Sequence, residues 1–563
     1  MGTISDKLMR VINTKEDIRQ ALISKGYNVP TSIPFKEYAK MISDLPCRVD
    51  SFPDIEGIVA RYSALGLTNE QMAANPVWVD KTGNGHDIQL KNFSWKGMSG
   101  VGGYGDENYQ TFYKFTLDDY VFIASPPGVK HMNFTFRVTG LQPGNKLTLA
   151  FFGTTNTVYG TWDKDGIYTV DADIVEAGKP TYFYNGYGST RGEFTIEILP
   201  LYPGALVFDG VDDYGVCDNL PLLPKEKGYS IIALRNWITR YDATQYKRPL
   251  ISNLDTNDEG AFLIEYRKDE NVNDVTGSYN SFTDVYIDDN NPITWQTSSS
   301  YNGQIIKKGT SKSTNKLCIC KTYFGRFSNY ANASIWEIVI LDHDATEEEL
   351  TKIKDYFVKT YPWLFPYQAW TVVGKTNEDK DRATIANITG NGNDLVCLNL
   401  GFIEGSGYNE EGEYAGYLVT DGVDDKIASS DFKMGKDFTI VGDWKFIDNK
   451  KNGTGLVKGS SFYIYNTMIG LDLYINSGSV KNSLDGIKSI NAACSDGRAY
   501  DRNWNEILAN TGNVVGSGGI LEVSSSGGRF GRIAFKNLAI YPRILSKDDC
   551  IKAYNYLQTL KAK

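Results

Sequence analysis

Through most of the chain, apolar and polar residues alternate at every second position in short runs separated by clusters of Gly, Asn, Asp and Pro, the pattern of half-buried β-strands broken by turns. The run HMNFTFRVTGLQPGNKLTLAFFG, from His131 to Gly153, alternates on both sides of Leu141-Gln142-Pro143-Gly144-Asn145 and reads as a hairpin. GIYTVDADI and GEFTIEILPL supply further strands. Two stretches shift to a helical period. Thr346 with Glu349, and Ser546 with Asp549, stand as N-cap and N3 residues, and behind them Leu350, Ile353 and Phe357, or Cys550, Ala553 and Leu557, give each helix one apolar face.

Residues 1–46 follow a different pattern. Ile4, Leu8, Val11 and Ile12 recur at helical spacing, and Thr14 caps a second helix whose face is Ile18 and Leu22 and whose stop is Gly26. Phe35, Tyr38 and Ile42 mark a third helix after Pro34. Three short helices bury little among themselves, so the segment reads as a docking or oligomerisation element.

The chain also repeats itself. Leu206-Val207-Phe208-Asp209-Gly210-Val211-Asp212-Asp213 returns as Leu418-Val419-Thr420-Asp421-Gly422-Val423-Asp424-Asp425, each a strand feeding an Asp-Gly turn. Thr82-Gly83-Asn84-Gly85 returns as Thr389-Gly390-Asn391-Gly392, and YSIIALRNWI aligns with FTIVGDWKFI. Between the first two landmarks the first copy carries about 95 residues more than the second, the mark of an inserted domain. The expected organisation is a helical segment over 1–46, a first sandwich from 50–100 plus 203–361, an inserted β-sandwich over 101–202, and a second sandwich over 362–563. Thr360 to Ala369, with Pro362 and Pro366, is the link between the repeats.

Composition narrows the function. A net charge of −10 over 563 residues, with no Lys/Arg stripe, argues against nucleic acid as a partner. Seven cysteines lack metal or redox spacing and read as buried thiols, Cys318 and Cys320 sharing one face of a strand. Neither a signal peptide nor an apolar run long enough to span a membrane is expected.

Two parts of the sequence resemble known families. Thr14, Lys15, Ile18, Ala21, Leu22, Lys25 and Gly26, followed by Pro34, Phe35, Tyr38, Ala39 and Ile42, resemble the N-terminal segment of many tailed-phage structural proteins. Phe208 to Asp213 with Ile338 to Leu350, and Thr420 to Asp425 with Leu538 to Cys550, resemble the two ends of the laminin-G-like, concanavalin-A-like jelly roll. The resemblance implies a mostly β protein of two such jelly-roll sandwiches, each of two antiparallel sheets packed face to face. It also implies a virion location in a tail or head fibre, self-association as a trimer or anchorage to other virion proteins through residues 1–46, and host-surface polysaccharide as the external partner.

Candidate chemistry is sparse. The three histidines, His86, His131 and His343, stand alone, and adjacent Asp212 and Asp213, like Asp424 and Asp425, point to opposite faces of a strand. The Glu-x-Asp-x-x-Glu strand of jelly-roll glycosidases is missing, so no catalytic residue and no enzymatic activity are expected. The aspartates read first as turn-capping groups and second as calcium ligands at a sandwich rim; no other metal or cofactor is expected. Sugar-binding sites use exposed aromatic rings with amides and charged groups beside them, which selects Trp295, and Trp504 with Arg502 and Asn503. A bacterial surface carbohydrate-binding protein, which would need an export signal, and a polysaccharide depolymerase, which would need a facing acidic pair, are the alternative readings.

Overall fold

A computed structural model describes Lys15 and residues 52–104, 114–123, 131–153, 156–176, 179, 181–185, 192–223, 228–238, 247–253, 262–267, 280–283, 291–297, 304–307, 314–321, 330–412, 414–447, 455–458, 462–466, 470–475, 484–485, 490–508, 517–526 and 529–562. Apart from Lys15, the helices expected within 1–46 lie outside the described residues, as does Cys47. The described part is mostly β, built from sheets in sandwich-like pairs whose strands are antiparallel except for Phe262–Arg267 with Asn280–Thr283, which run parallel.

Each repeat is organised on its closing strand. Asn332–Leu341 pairs with Ile58–Ser63, Ser230–Trp237 and Leu206–Asp209, and Ile533–Tyr541 pairs with Gln368–Thr371, Thr439–Phe446 and Leu418–Val419. All ten residues of Asn332–Leu341 are buried, because the facing sheet covers one side and the helix and link after it serve the other. The inward phase changes halfway along it. Ala333 and Ile335 face the core, then Ile338 and Ile340, and the pairing register to Ser230–Trp237 slips between Leu234 and Arg235, where Trp336 is the extra residue of a bulge. The second copy repeats this around Lys536. Facing these sheets are two further eight-stranded ones, Tyr214–Cys217 and Leu317–Ile319 being central in the first copy and Lys426–Met434 and Ser517–Val523 in the second.

Residues 114–198 form two four-stranded sheets of their own around Phe136, Leu149, Phe183 and Ile196. The ends of this segment meet: Tyr202 N–H donates to Gly102 O at 2.8 Å, and Gly102 N–H donates to Ala205 O at 2.8 Å. Gly102 and Gly103 have φ of 90° and 60°, and a Cβ at Gly102 would lie 2.7 Å from the Pro200 ring, so this junction needs glycine.

The helix Glu347–Thr360 carries a full capping box: Thr346 Oγ1 accepts from Glu349 N–H, and the Glu349 carboxylate accepts from Thr346 N–H. Lys547–Leu557 begins with Ser546 accepting from Asp549 N–H. One expectation needs correction. Cys320 has φ of 56°, which ends the strand alternation after Leu317–Ile319, and its thiol joins Leu317 and Ile319 in the core, so Cys318 and Cys320 do not share a face set by strand period. Both thiols are buried, and burial pushes Cys318 up to about 12.

Candidate functional site

Trp295 sits on Ile293–Thr297, the edge strand that pairs with Ser230–Trp237, with Trp295 opposite Ile232. Its ring is half-buried and forms one wall of a cleft of about 520 Å³. The helix Glu347–Thr360 supplies Thr351 and Lys354, the link supplies Phe365 and Tyr367, and the repeated glycine turn of the second copy supplies Thr389 and Asn391. That turn is pinned locally. Thr389 Oγ1 donates to Tyr367 O at 2.8 Å, and Gly392, at φ of 98°, has the Gln368 amide where a Cβ would stand, 2.0 Å away. The lining offers an indole, a 40 % exposed phenol at Tyr367, amides, hydroxyls and one ammonium; among the described residues it contains no carboxylate and no histidine. Aromatic faces with neutral donors and acceptors around them match a hydroxyl-rich ligand whose ring C–H groups stack on the indole. Sequence reasoning selected Trp295 but missed Tyr367, Lys354 and Asn391, which come from other elements and share no motif with it.

Trp504 has the opposite fate. It is 1 % exposed, its Nε1 donates to Thr169 Oγ1 at 3.3 Å, and its ring meets Tyr554 edge-on at 5.7 Å. The neighbouring charge is spent inside the chain as well: Arg502 and Lys445 both pair with the Asp171 carboxylate, whose side chain is fully buried, and the Tyr417 hydroxyl lies 2.9 Å from Asp171 and 3.0 Å from Asp443. Asn503 is exposed, its N–H donating to Asp501 Oδ1 at 2.8 Å. The polar surroundings that marked Trp504, Arg502 and Asn503 in sequence are therefore the contact between the second sandwich and the Gly166–Asp173 strand of the 114–198 segment. Trp295 and Trp504 are not brought into one site.

The repeated aspartates build turns. Asp209 Oδ1 accepts from the N–H groups of Val211, Asp212 and Asp213, while Asp213 Oδ2 accepts from Asp209 N–H at 3.1 Å, and Gly210 has φ of 77°. In the second copy Asp421 accepts from Val423 N–H, and Asp425 accepts from Asp421 N–H and Ser406 Oγ. The three carboxylates of each set have oxygens within 4.8 Å of one another. The turn engages the Asp209 and Asp421 carboxylates, while Asp213 Oδ1 and Asp425 Oδ1 are buried with no hydrogen-bond partner, and burial, helped by the Asp209 charge, pushes Asp213 up to about 8.

Of the histidines, His343 is engaged on both nitrogens, Nδ1 with Asp342 Oδ1 at 3.2 Å and Nε2 with Glu349 Oε1 at 3.1 Å, and these two acids raise its pKa against the effect of burial. His86 lies in the glycine turn, its N–H donating to Asp80.

No protein-family model matches the chain, and the comparison with curated proteins returns no match. Among solved structures, the chain is similar to Trypanosoma rangeli sialidase in complex with sialic acid, at 10 % identity over 81 % of this chain and 72 % of that one with a TM-score of 0.24. It is also similar to uncomplexed T. rangeli sialidase, at 9 % identity over 80 % and 72 % with a TM-score of 0.24. A structure described as a receptor binding domain matches at 8 % identity over 78 % and 96 % with a TM-score of 0.19. The sialidase matches overturn the expectation that the chain is not an enzyme, and that expectation is withdrawn. It rested on too narrow a premise, since enzymes need neither a histidine nor the paired-carboxylate strand that the sequence lacks. Likeness at these TM-scores assigns no activity in its place.

No helix among the described residues is long and apolar enough to cross a membrane.

Proposed function

We propose that this chain is a structural component of a phage virion appendage, a tail or head fibre, whose sandwich domains contact host-surface glycan, and that the glycan lies in the Trp295 cleft. The observation that carries the binding half of this reading is the juxtaposition of Trp295, Tyr367 and Asn391 around one cleft of about 520 Å³, drawn from both repeats and the link between them. A cleft of this size accepts one or two sugar rings, and sites of this kind are weak singly, so display in several copies adds avidity. Residues 1–46 supply the multiplicity in this reading, as the element that self-associates or anchors the chain to another virion protein.

Two measurements test it. Host capsule and lipopolysaccharide oligosaccharides titrated against the full chain and Trp295→Ala should show binding that the substitution weakens by roughly tenfold; equal affinities remove the cleft from the reading. Gold-labelled antibody against the chain should decorate purified particles at a tail or head appendage, and unlabelled particles overturn the virion assignment.

A further inference from the structure

The segment 114–198 presents two sheets with contrasting outer surfaces. From the sheet of Gly166–Asp173 and His131–Thr139, Thr169, Asp171 and Asn133 reach the second sandwich through the Trp504, Arg502, Lys445 and Asp443 contacts. The other sheet has the order Tyr120–Ile123, Thr181–Asn185, Leu147–Phe151, Thr157–Trp162. Because Phe183, Leu147 and Leu149 fill the segment's core, strand alternation turns Tyr182, Tyr184, Thr148 and Ala150 to the outside. Tyr120 pairs opposite Tyr184 and shares that side.

This outer side is aromatic and ordered. Tyr120 and Tyr182 lie 6.2 Å apart between ring centroids, Tyr182 and Phe152 6.0 Å, and Phe152 and Tyr184 5.4 Å. Tyr120 is 58 % exposed and Phe152 49 %. Ala150 points outward between these rings and is nevertheless 0 % exposed, so the rings lie over the sheet as a covering layer. The outward positions carry phenols, a phenyl ring, Val158 and the Thr148–Thr161 hydroxyl pair at 3.3 Å, and none of these is charged.

We propose that this face is a second carbohydrate-binding surface, taking an extended neutral polysaccharide across the Tyr120–Tyr182–Phe152–Tyr184 ladder. The absence of charge at the named positions is what selects the ligand. A nucleic acid, an anionic glycan or an acidic lipid surface needs lysine or arginine to replace its counterions, whereas neutral pyranoses need apolar ring faces flanked by hydroxyls. The buried contacts on the opposite sheet hold the segment by its other side, so the aromatic layer is turned away from the second sandwich. This proposal shares the glycan-binding reading above but not its site.

Affinity electrophoresis of the full chain through gels containing neutral polysaccharides of glucose, mannose, galactose or N-acetylglucosamine, with polysialic acid as the anionic control, tests it. Native protein should be retarded by at least one neutral polymer and not by polysialic acid. Tyr120→Ala/Phe152→Ala should weaken that retardation roughly tenfold, while Leu222→Ala, at an equally exposed apolar side chain outside both sites, leaves it unchanged, near-ultraviolet circular dichroism verifying that each variant is folded. Because both substituted side chains are about half exposed, Tyr120→Ser alone provides a milder check with the same expected direction. Retardation lost in Trp295→Ala but kept in the double variant, no retardation by any neutral polymer, or retardation by polysialic acid alone overturns the proposal. So does a fall in oligomeric mass on light scattering in the double variant without any sugar binding, which would make the face a self-association surface.

Discussion

The two repeats place different chemistry at one bulge. In the first, Glu337 faces the helix side of the closing strand, fully buried, with Arg61 at 3.2 Å, Tyr361 hydroxyl at 2.8 Å and Tyr356 hydroxyl at 3.2 Å. In the second, the residue at the same point of the register slip is Asn537, which accepts from Asp443 N–H at 3.0 Å and whose amide lies 3.5 Å from Leu557 O. Burial outweighs Arg61 and leaves the Glu337 pKa raised, so the ion pair works against its own desolvation. A neutral amide meets the same geometric demand without that cost. The fold therefore requires a polar group beside the bulge, and the charge in the first copy is an addition to that requirement.

The largest expected effect follows directly. Glu337→Gln strands the buried Arg61 guanidinium and should destabilise the first sandwich by about 3–5 kcal/mol, whereas Asn537→Ala should cost the second about 1–3 kcal/mol through unmet backbone groups. Urea unfolding followed by tryptophan fluorescence measures both, and equal losses would break the comparison.

The aspartate turns sharpen it next. Asp213 ordinarily ionises near 3.8 and is held up to about 8 in the fold. Below the lower value both folded and unfolded forms carry the proton and stability is at its fullest. As pH rises toward 8 the unfolded chain ionises first, and stability falls by roughly 1.4 kcal/mol for each unit of pH in that interval. Asp213→Asn should flatten that slope in thermal melts between pH 4 and 8. An unchanged slope would mean that the inner carboxyl is charged in the fold. Asp425, also raised by burial, is opposed by Ser406 as Asp213 is by Ser99, and Asp425→Asn should flatten the slope in the same direction.

The smallest expected effect lies at the helix starts. Ser230 Oγ donates to His343 O at 2.7 Å, and Thr439 Oγ1 donates to Arg543 O at 2.9 Å, the same anchor in each repeat. Beside the first stands the His343 imidazole, and beside the second the Cys494 thiol, which hydrogen bonds from Cys550 and Thr439 hold below its ordinary value. The raised His343 pKa gives stability that is present below the ordinary histidine value and lost as pH rises through the folded one. His343→Gln should remove less than about 1 kcal/mol at pH 5 and nothing at pH 9, read as the difference in melting temperature.

The elements themselves were legible in the sequence. Alternation located the strands, Thr346 with Glu349 located a capped helix, and the two Asp-Gly phrases located matching turns, because each is dictated by neighbours within a few residues. What covers a face was not. Trp295 and Trp504 have equally polar neighbours, yet one lines a cleft and the other is sealed by Thr169 from a strand more than three hundred residues earlier. Asp171 could not be read as the partner of Lys445 and Arg502 for the same reason. The bulges at Trp336 and Lys536 also hid from a strict period of two, since one extra residue reverses the sense of every later position.

The pairing of Ile58–Ser63 with Asn332–Leu341 has a consequence for biosynthesis. During translation the earlier strand emerges long before its partner, and at about 5–20 residues per second it waits on the order of half a minute with an open hydrogen-bonding edge. The 114–198 segment, whose strands pair among themselves, completes its sheets during that interval. The first repeat is thus the last-closing part of its own half of the chain, and its open edge during that wait is where a holding chaperone, or an aggregating neighbour, would find its target.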